Sequence, residues 1–286
     1  MRRPAPLAFT LLALAVSCGD NGGSPSSDAA SAPLVFGGSR PTNLQVPAGF
    51  DASKQYPLVV ILHGYGATGS LQEAFFGAGA LVSSGQAFVI APDGLVDGSG
   101  NQYWNADPAC CDFDHANPDD VGFIGGLIDD VSAAWPIDPG AVTLLGHSNG
   151  GFMAYKMACA RADVVTNIEV LAGAAASDPT TCTPSRAVEV LHMHGTIDNE
   201  VPYDVAVPSV EQWATHDACG SAMTAGSDLD LDTTLPGAET TTATIDGCPT
   251  GITVELWSIT GASHIPTLAA DFSTTMLDYS AAHRRP

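Results

Sequence analysis

Ala141-Val142-Thr143-Leu144-Leu145 runs into Gly146-His147-Ser148-Asn149-Gly150, and Gly151-Phe152-Met153-Ala154-Tyr155-Lys156-Met157-Ala158 follows without a break. The first block has the apolar, β-branched composition of a buried strand, and the last holds helix formers with no β-branched residue. Between them two glycines bracket a serine. A serine at the tip of a tight strand-to-helix turn presents its hydroxyl clear of the chain, and glycines flank it because side chains there would collide with the turn. With 30 glycines in the chain, the five-residue pattern alone recurs easily by chance. The strand before it and the helix after it are what give it weight.

An alcohol is a poor nucleophile at neutral pH, so Ser148 needs a base, and the base needs a carboxylate to fix its tautomer. Both should follow Ser148 in the chain, first the acid and then the histidine. The run Val188-Glu189-Val190-Leu191-His192-Met193 leads into His194-Gly195-Thr196-Ile197-Asp198, and Asp198 falls in the turn at the end of that strand. Glu200 is its neighbour and rival, and is expected to cover in part for an Asp198→Asn change. The run Val254-Glu255-Leu256-Trp257-Ser258-Ile259 leads into Thr260-Gly261-Ala262-Ser263-His264. His216 belongs to a predicted helix before Cys219 and His283 to a basic tail, which leaves His264 as the base.

Three more apolar runs, Leu58–Leu62, Ala87–Ile90 and Ile168–Leu171, join these to give six strands, most of them apolar on both faces, as in a parallel sheet covered by helices. Val121, Ile124, Leu127, Ile128, Val131 and Trp135 form one helical stripe between Pro118-Asp119-Asp120 and Pro136, and Asp271 to Ala281 reads as a closing helix. The alternation predicts a doubly wound α/β fold, and the serine turn after its strand makes it resemble an α/β-hydrolase. Only about sixteen residues separate the strands ending near Leu171 and beginning near Val188, where a lid is commonly inserted. The site is therefore expected to be lidless and open to bulky or polymeric esters.

The oxyanion donors expected are the amide of Asn149, directly after the nucleophile, and that of Tyr65 in His63-Gly64-Tyr65-Gly66. His63, His192 and His194 read as histidines near the site that orient backbone. His63 and His147 are also expected to border the substrate. The acid-rich loops at 112–120 and 228–232 lack the closing glutamate of a calcium loop and read as solvated, and Asp93 and Asp97 as turn residues. No metal and no cofactor are expected.

Arg2-Arg3 before an apolar stretch from Ala5 to Val16 reads as a secretory signal over residues 1–17, with Leu14-Ala15-Val16-Ser17-Cys18 resembling a lipobox that lipidates Cys18. Residues 18–32 read as a flexible tether and 33–286 as the catalytic domain. Without the leader the charge is 7 minus 31, or −24, which repels nucleic acid and anionic membranes. The expectation is an exported monomer that meets a membrane only through its lipid anchor and takes an ester substrate. Six further cysteines in an exported chain predict disulfides. Proximity favours Cys159–Cys182 and Cys219–Cys248, leaving Cys110-Cys111 as a vicinal pair. No spacing suits zinc.

Together these residues resemble the secreted esterase family that holds polyhydroxybutyrate depolymerases and feruloyl or acetylxylan esterases. The resemblance rests on Tyr56–Gly64, Trp104-Asn105, Asp119–Ile124, Ser148–Tyr155, His192–Asp198 with Val201-Pro202-Tyr203, and Gly261–His264. It implies a Ser148–Asp198–His264 triad acting through an acyl-enzyme, Trp104 as a wall of the cleft, and Asp119-Asp120 as a structural anchor. It favours a polyhydroxybutyrate depolymerase-like ester hydrolase over a feruloyl or acetylxylan esterase; a serine peptidase and a non-catalytic lipoprotein stand further back. Two positions depart from the family, Ile265 where many members carry tryptophan and Val205-Ala206 where glycines are common.

Overall fold

The computed structural model describes residues 32–284. The expected signal segment, Cys18 and the tether as far as residue 31 lie outside the described residues. The strands are β1 (Val35–Phe36), β2 (Thr42–Gln45), β3 (Tyr56–Leu62), β4 (Phe88–Ile90), β5 (Leu95–Val96), β6 (Gln102–Tyr103), β7 (Ile137–His147), β8 (Asn167–Leu171), β9 (Glu189–Gly195), β10 (Met223–Ala225), β11 (Thr240–Ile245) and β12 (Val254–Ile259). Ten of them make one sheet in the order β1-β2-β4-β3-β7-β8-β9-β12-β11-β10, while β5 and β6 pair as a separate hairpin. The middle six strands are mutually parallel, and they are the six apolar runs. Buried on both faces, they have no need of alternating polarity.

The helices are α1 (Gly69–Phe76), α2 (Gly79–Ser83), α3 (Asp120–Ala134), α4 (Asn149–Ala160), α5 (Ala206–His216) and α6 (Phe272–Ala282). Phe76, Leu81, Phe272 and Met276 bring α1, α2 and α6 onto the face formed by Val59, Ile61, Leu145, Leu191 and Met193. Helices α3, α4 and α5 cover the other face, where Tyr155 and Trp213 meet with ring centroids 5.7 Å apart. Asp119 caps α3 by accepting the Gly122 N–H, in line with the structural role expected of it. Asp120 is buried and ion-paired to Arg40 Nη1 at 2.6 Å, and its other oxygen accepts the Asn105 N–H at 2.8 Å. Two of the quoted sequence pieces, Trp104-Asn105 and Asp119-Asp120, thus meet in one clamp.

Three disulfides, Cys110–Cys111, Cys159–Cys182 and Cys219–Cys248, follow the pairing that proximity favours. Cys159–Cys182 ties the end of α4 to the segment after β8 across a separation of 23 residues. Closing a loop of that size removes about 3 kcal/mol of unfolded-chain entropy in the simplest account.

Glu169 lies on β8 beneath α6, fully buried, accepting the Ser280 hydroxyl at 2.6 Å. Burial pushes its carboxyl up to about 8 from an ordinary 4.5. The unfolded chain ionises Glu169 first as pH rises, so its contribution to stability is full below about 4.5 and is lost progressively by about 8. Glu169→Gln should therefore leave stability near pH 4.5 unchanged and raise it at pH 8 by on the order of a few kcal/mol. Denaturant melts at the two pH values check this, and equal melting of both proteins at pH 8 would refute it.

Candidate functional site

Strand β7 ends at His147 and α4 starts at Asn149, leaving Ser148 as the single residue of the turn at φ 52°, ψ −122°. That is a sparsely populated conformation for a residue with a Cβ, held here because both flanking elements are packed. The Ser148 N–H donates to Leu171 O, and the Ser148 carbonyl accepts from Gly151 and Phe152. A Cβ on Gly146 would be driven into the Gly150 carbonyl, and one on Gly150 into the Leu62 carbonyl. The bracketing glycines therefore serve close approach. Ser148 is half-buried at the C-terminal edge of the parallel strands, the edge where open α/β sheets bind ligands.

The turn after β9 and the turn after β12 bring Asp198 and His264 to the same edge. His264 Nδ1 donates to Asp198 Oδ2 at 2.7 Å, and both residues are buried. The other carboxylate oxygen, Oδ1, accepts the backbone N–H of Glu200 at 2.8 Å and of Val201 at 3.0 Å. With its proton on Nδ1, His264 keeps Nε2 bare. Ser148 and His264 line one cleft of about 290 Å³, together with Gly64, Tyr65, Leu71 and Ile265. Ser148 also lines a larger cavity of about 1030 Å³.

Glu200 corrects an expectation. Its exposed carboxylate lies 3.8 Å from His264 Nε2, on the opposite side of the ring from Asp198. It therefore faces the wrong nitrogen to take over for Asp198.

Asn149 opens α4, and as a first-turn residue its amide has no intrahelical acceptor. Tyr65 lines both cavities beside Ser148. The Asn149 side chain has a task absent from the sequence reading. Its Oδ1 accepts the Trp104 N–H at 2.7 Å and its Nδ2 donates to the Trp104 carbonyl at 3.0 Å, binding α4 to the loop that carries Trp104.

Two expected substrate-binding residues are not in the cleft. Trp104 is fully buried, its Nε1 donating to His63 O at 3.1 Å, and it offers no surface to a substrate. His63 is equally buried, its Nδ1 donating to Gly64 O and its Nε2 accepting the Gly94 N–H. Both shape the loop behind Tyr65, so each is a wall of the protein's interior. His147 does border the smaller cleft. Its Nε2 donates to the His264 carbonyl at 3.0 Å, and burial pushes its pKa down to about 4, so it is neutral at pH 7. Ile265 and Val205, the two departures, line the cavities, while Ala206 is buried.

The segment after β8 is short, as expected, and contributes Ala174, Ala175, Ala176 and Pro179 to the large cavity. Further lining comes from the stretch 91–119, in which Asp93 and Asp97 read as turn residues and the acids from Asp112 on as a solvated loop. The β5–β6 hairpin and the Cys110–Cys111 bridge shape this stretch, and it supplies Ala109, Cys110, Cys111 and Phe113 to the cavity.

A family model matches residues 35–236, more than two thirds of the chain. The chain belongs to the Esterase family. Among curated relatives it is 27% identical over 242 residues to feruloyl esterase B of Piromyces equi, covering 77% of this chain and 42% of that protein. It is 26% identical over 249 residues to feruloyl esterase D of Neurospora crassa, covering 81% and 76%. Among the first relatives the match spans 48%, 62% and 42% of their own lengths, so the chain corresponds to about half of those proteins. Acetyl xylan esterase from Aspergillus awamori superposes with a TM-score of 0.63 at 16% identity, covering 90% of this chain and 97% of that one. At that identity the likeness establishes the α/β-hydrolase fold.

Proposed function

We propose that this esterase-family chain is a serine carboxylic ester hydrolase working through an acyl-enzyme, with Ser148 as nucleophile, His264 as base and Asp198 as its orienting acid. The observation that carries the reading is the 2.7 Å His264–Asp198 hydrogen bond, whose imidazole lines the same cleft as Ser148. Ser148 Oγ attacks the ester carbonyl while His264 Nε2 takes its proton, and the amides of Asn149 and Tyr65 stabilise the developing oxyanion. His264 then gives the proton to the leaving alcohol, and water reverses the sequence to release the acid.

The large cavity supports a bulky, uncharged substrate. Phe113, Phe152, Pro179, Pro202 and Pro208 give it an apolar, partly aromatic lining, and its charged lining residues are Asp107, Glu200, Asp204 and Glu211. Acids without a lysine or arginine disfavour an anionic ester. A neutral aromatic acyl group such as feruloyl fits these walls, and the feruloyl esterase relatives support that reading over a polyhydroxybutyrate depolymerase. The three disulfides and the −24 charge support an extracellular location, with lipidation of Cys18 as part of the same proposal.

Product analysis on methyl ferulate, acetylated xylan and hydroxybutyrate oligomers decides among substrates. Ferulate release with a kcat/KM at least about tenfold above the others is the expected result. Preference for hydroxybutyrate oligomers would return the polyester reading. Cleavage of none of them, with a serine-directed phosphonate failing to label Ser148, would refute the enzyme.

A further inference from the structure

His192 and His194 lie two apart on β9, so both side chains leave the same face of the strand, and both are fully buried. Their rings stack with centroids 5.3 Å apart. His194 Nε2 is 2.8 Å from the Val201 carbonyl and 3.3 Å from Asp198 Oδ2. His194 Nδ1 is 3.0 Å from His192 Nε2, and His192 Nδ1 is 2.8 Å from the Tyr155 hydroxyl. Tyr155 belongs to α4, two turns beyond Ser148.

Donor chemistry settles every proton in this chain. A carbonyl only accepts, so His194 Nε2 carries hydrogen. Burial depresses the pKa of both histidines, and each is neutral at working pH. The Nδ1 of neutral His194 must then accept, so His192 Nε2 donates to it. His192 Nδ1 in turn accepts, and the Tyr155 O–H donates. One arrangement satisfies all four residues. Asp198 receives three N–H hydrogen bonds, from the Glu200 and Val201 amides on Oδ1 and from His264 Nδ1 on Oδ2, while His194 Nε2–H, bonded to the Val201 carbonyl, lies 3.3 Å from Oδ2.

We propose that His194 is a positioning residue of the reaction: its Nε2–H, aimed in one tautomer by His192 and Tyr155, holds the Asp198 carboxylate toward His264 and couples the acid's turn to the nucleophile's helix. The inference rests on the triad reading above. Its physical content is simple. A carboxylate with Oδ1 held on two backbone amides and Oδ2 3.3 Å from the positive end of the His194 Nε2–H dipole is kept from rotating Oδ2 away from the ring it orients, and a neutral buried histidine supplies that dipole without adding a charge. The groups facing His194 are Asp198, His192, His264 and the Tyr203 ring, whose centroid is 5.8 Å away; those facing His264 are Asp198, Glu200, His147 and His194.

The test compares His194→Leu with His194→Gln in the full chain, using a soluble aryl ester, with thermal melts for folding. The leucine variant is expected to lose roughly tenfold or more in kcat at unchanged KM, since it removes the N–H dipole beside the charged carboxylate and the Val201 carbonyl bond that anchors the acid's turn. Its acidic limb of kcat/KM should move to higher pH, because Asp198 keeps more negative charge to stabilise the imidazolium. Glutamine, which offers an N–H at the same place, should recover kcat to within about threefold. A folded leucine variant with wild-type kcat and an unmoved limb overturns the proposal, as does a glutamine variant no better than leucine at equal melting temperature. If the leucine variant does not fold, Tyr155→Phe decides: the low-field proton resonance of His264 Nδ1 should shift, and an unshifted resonance with wild-type kcat overturns the proposal. Failure here with Ser148→Ala still inactive leaves the triad standing; an active Ser148→Ala removes the triad itself.

Discussion

Ser148→Ala is expected to lower kcat on a soluble aryl ester by roughly 10^5- to 10^6-fold while leaving KM within a few-fold of the parent. The magnitude follows from what the substitution removes. The Oγ is the only atom deleted, and with it goes the covalent route that divides one difficult acyl transfer into two easier ones. What survives is binding in the cavities and the proposed oxyanion amides of Asn149 and Tyr65, which by themselves would still accelerate attack by water to a small degree. The fold should be indifferent. Alanine has the same Cβ at φ 52° that serine has, the Leu171 and Gly151 backbone bonds of residue 148 do not involve the hydroxyl, and no hydrogen bond through the Oγ is needed to cap α4. Steady-state kinetics beside a thermal melt and phosphonate labelling measure all three points. A folded variant retaining more than about 1% of parental turnover would make another residue the nucleophile and overturn the assignment.

How much of this was legible beforehand depends on which physical signal each residue carries. The parallel strands announced themselves because a strand buried on both faces is a run of apolar residues, and β3, β7, β8, β9 and β12 are each such a run. The antiparallel edges did not. β11 is Thr240-Thr241-Thr242-Ala243-Thr244-Ile245, too polar to stand out, and it is a strand because β12 offers it a ladder from Thr240 through Thr244. β1 and β2 are two and four residues long, below the length at which alternation can be read. Ser148, Asp198 and His264 could be placed because each follows its strand directly, and a strand end fixes the edge of the sheet at which the next residue appears.

Contacts between distant segments carried no such signal. Trp104 beside Asn105 read as cleft wall, yet a large aromatic is more often buried than exposed, and only the fold brings its indole to His63. The pair His192 and His194 was visible as one strand face, but Tyr155 lies 37 residues before His192 in the chain and nothing local links them. Glu200 is the sharpest case. Two residues from Asp198, it was the nearby rival by spacing, and the distinction rests on which imidazole nitrogen each carboxylate meets.

That distinction sets the second large effect. Asp198→Asn is expected to cost roughly 10^4-fold in kcat, with no rescue by Glu200. Asp198 Oδ1 is held by the Glu200 and Val201 amides, both donors, so an asparagine will keep its carbonyl oxygen there. Its NH2 must then occupy the place of Oδ2, facing His264 Nδ1 and His194 Nε2. Two donors now meet. His264 relieves the clash by surrendering its Nδ1 proton and carrying hydrogen on Nε2 instead, which is the nitrogen that must be bare to receive the proton of Ser148. The ring stays in place and the tautomer is wrong. Glu200 cannot correct this, because its carboxylate lies 3.8 Å from Nε2 and stabilises a proton exactly where one is unwelcome. Asp198→Asn/Glu200→Gln should accordingly be no worse than Asp198→Asn alone, whereas a Glu200 that served as reserve acid would make the double variant at least about tenfold slower. Turnover of the two variants on the same aryl ester, at matched melting temperature, separates those outcomes. Asp198→Asn retaining more than about a tenth of parental kcat would mean that His264 is oriented by something other than Asp198.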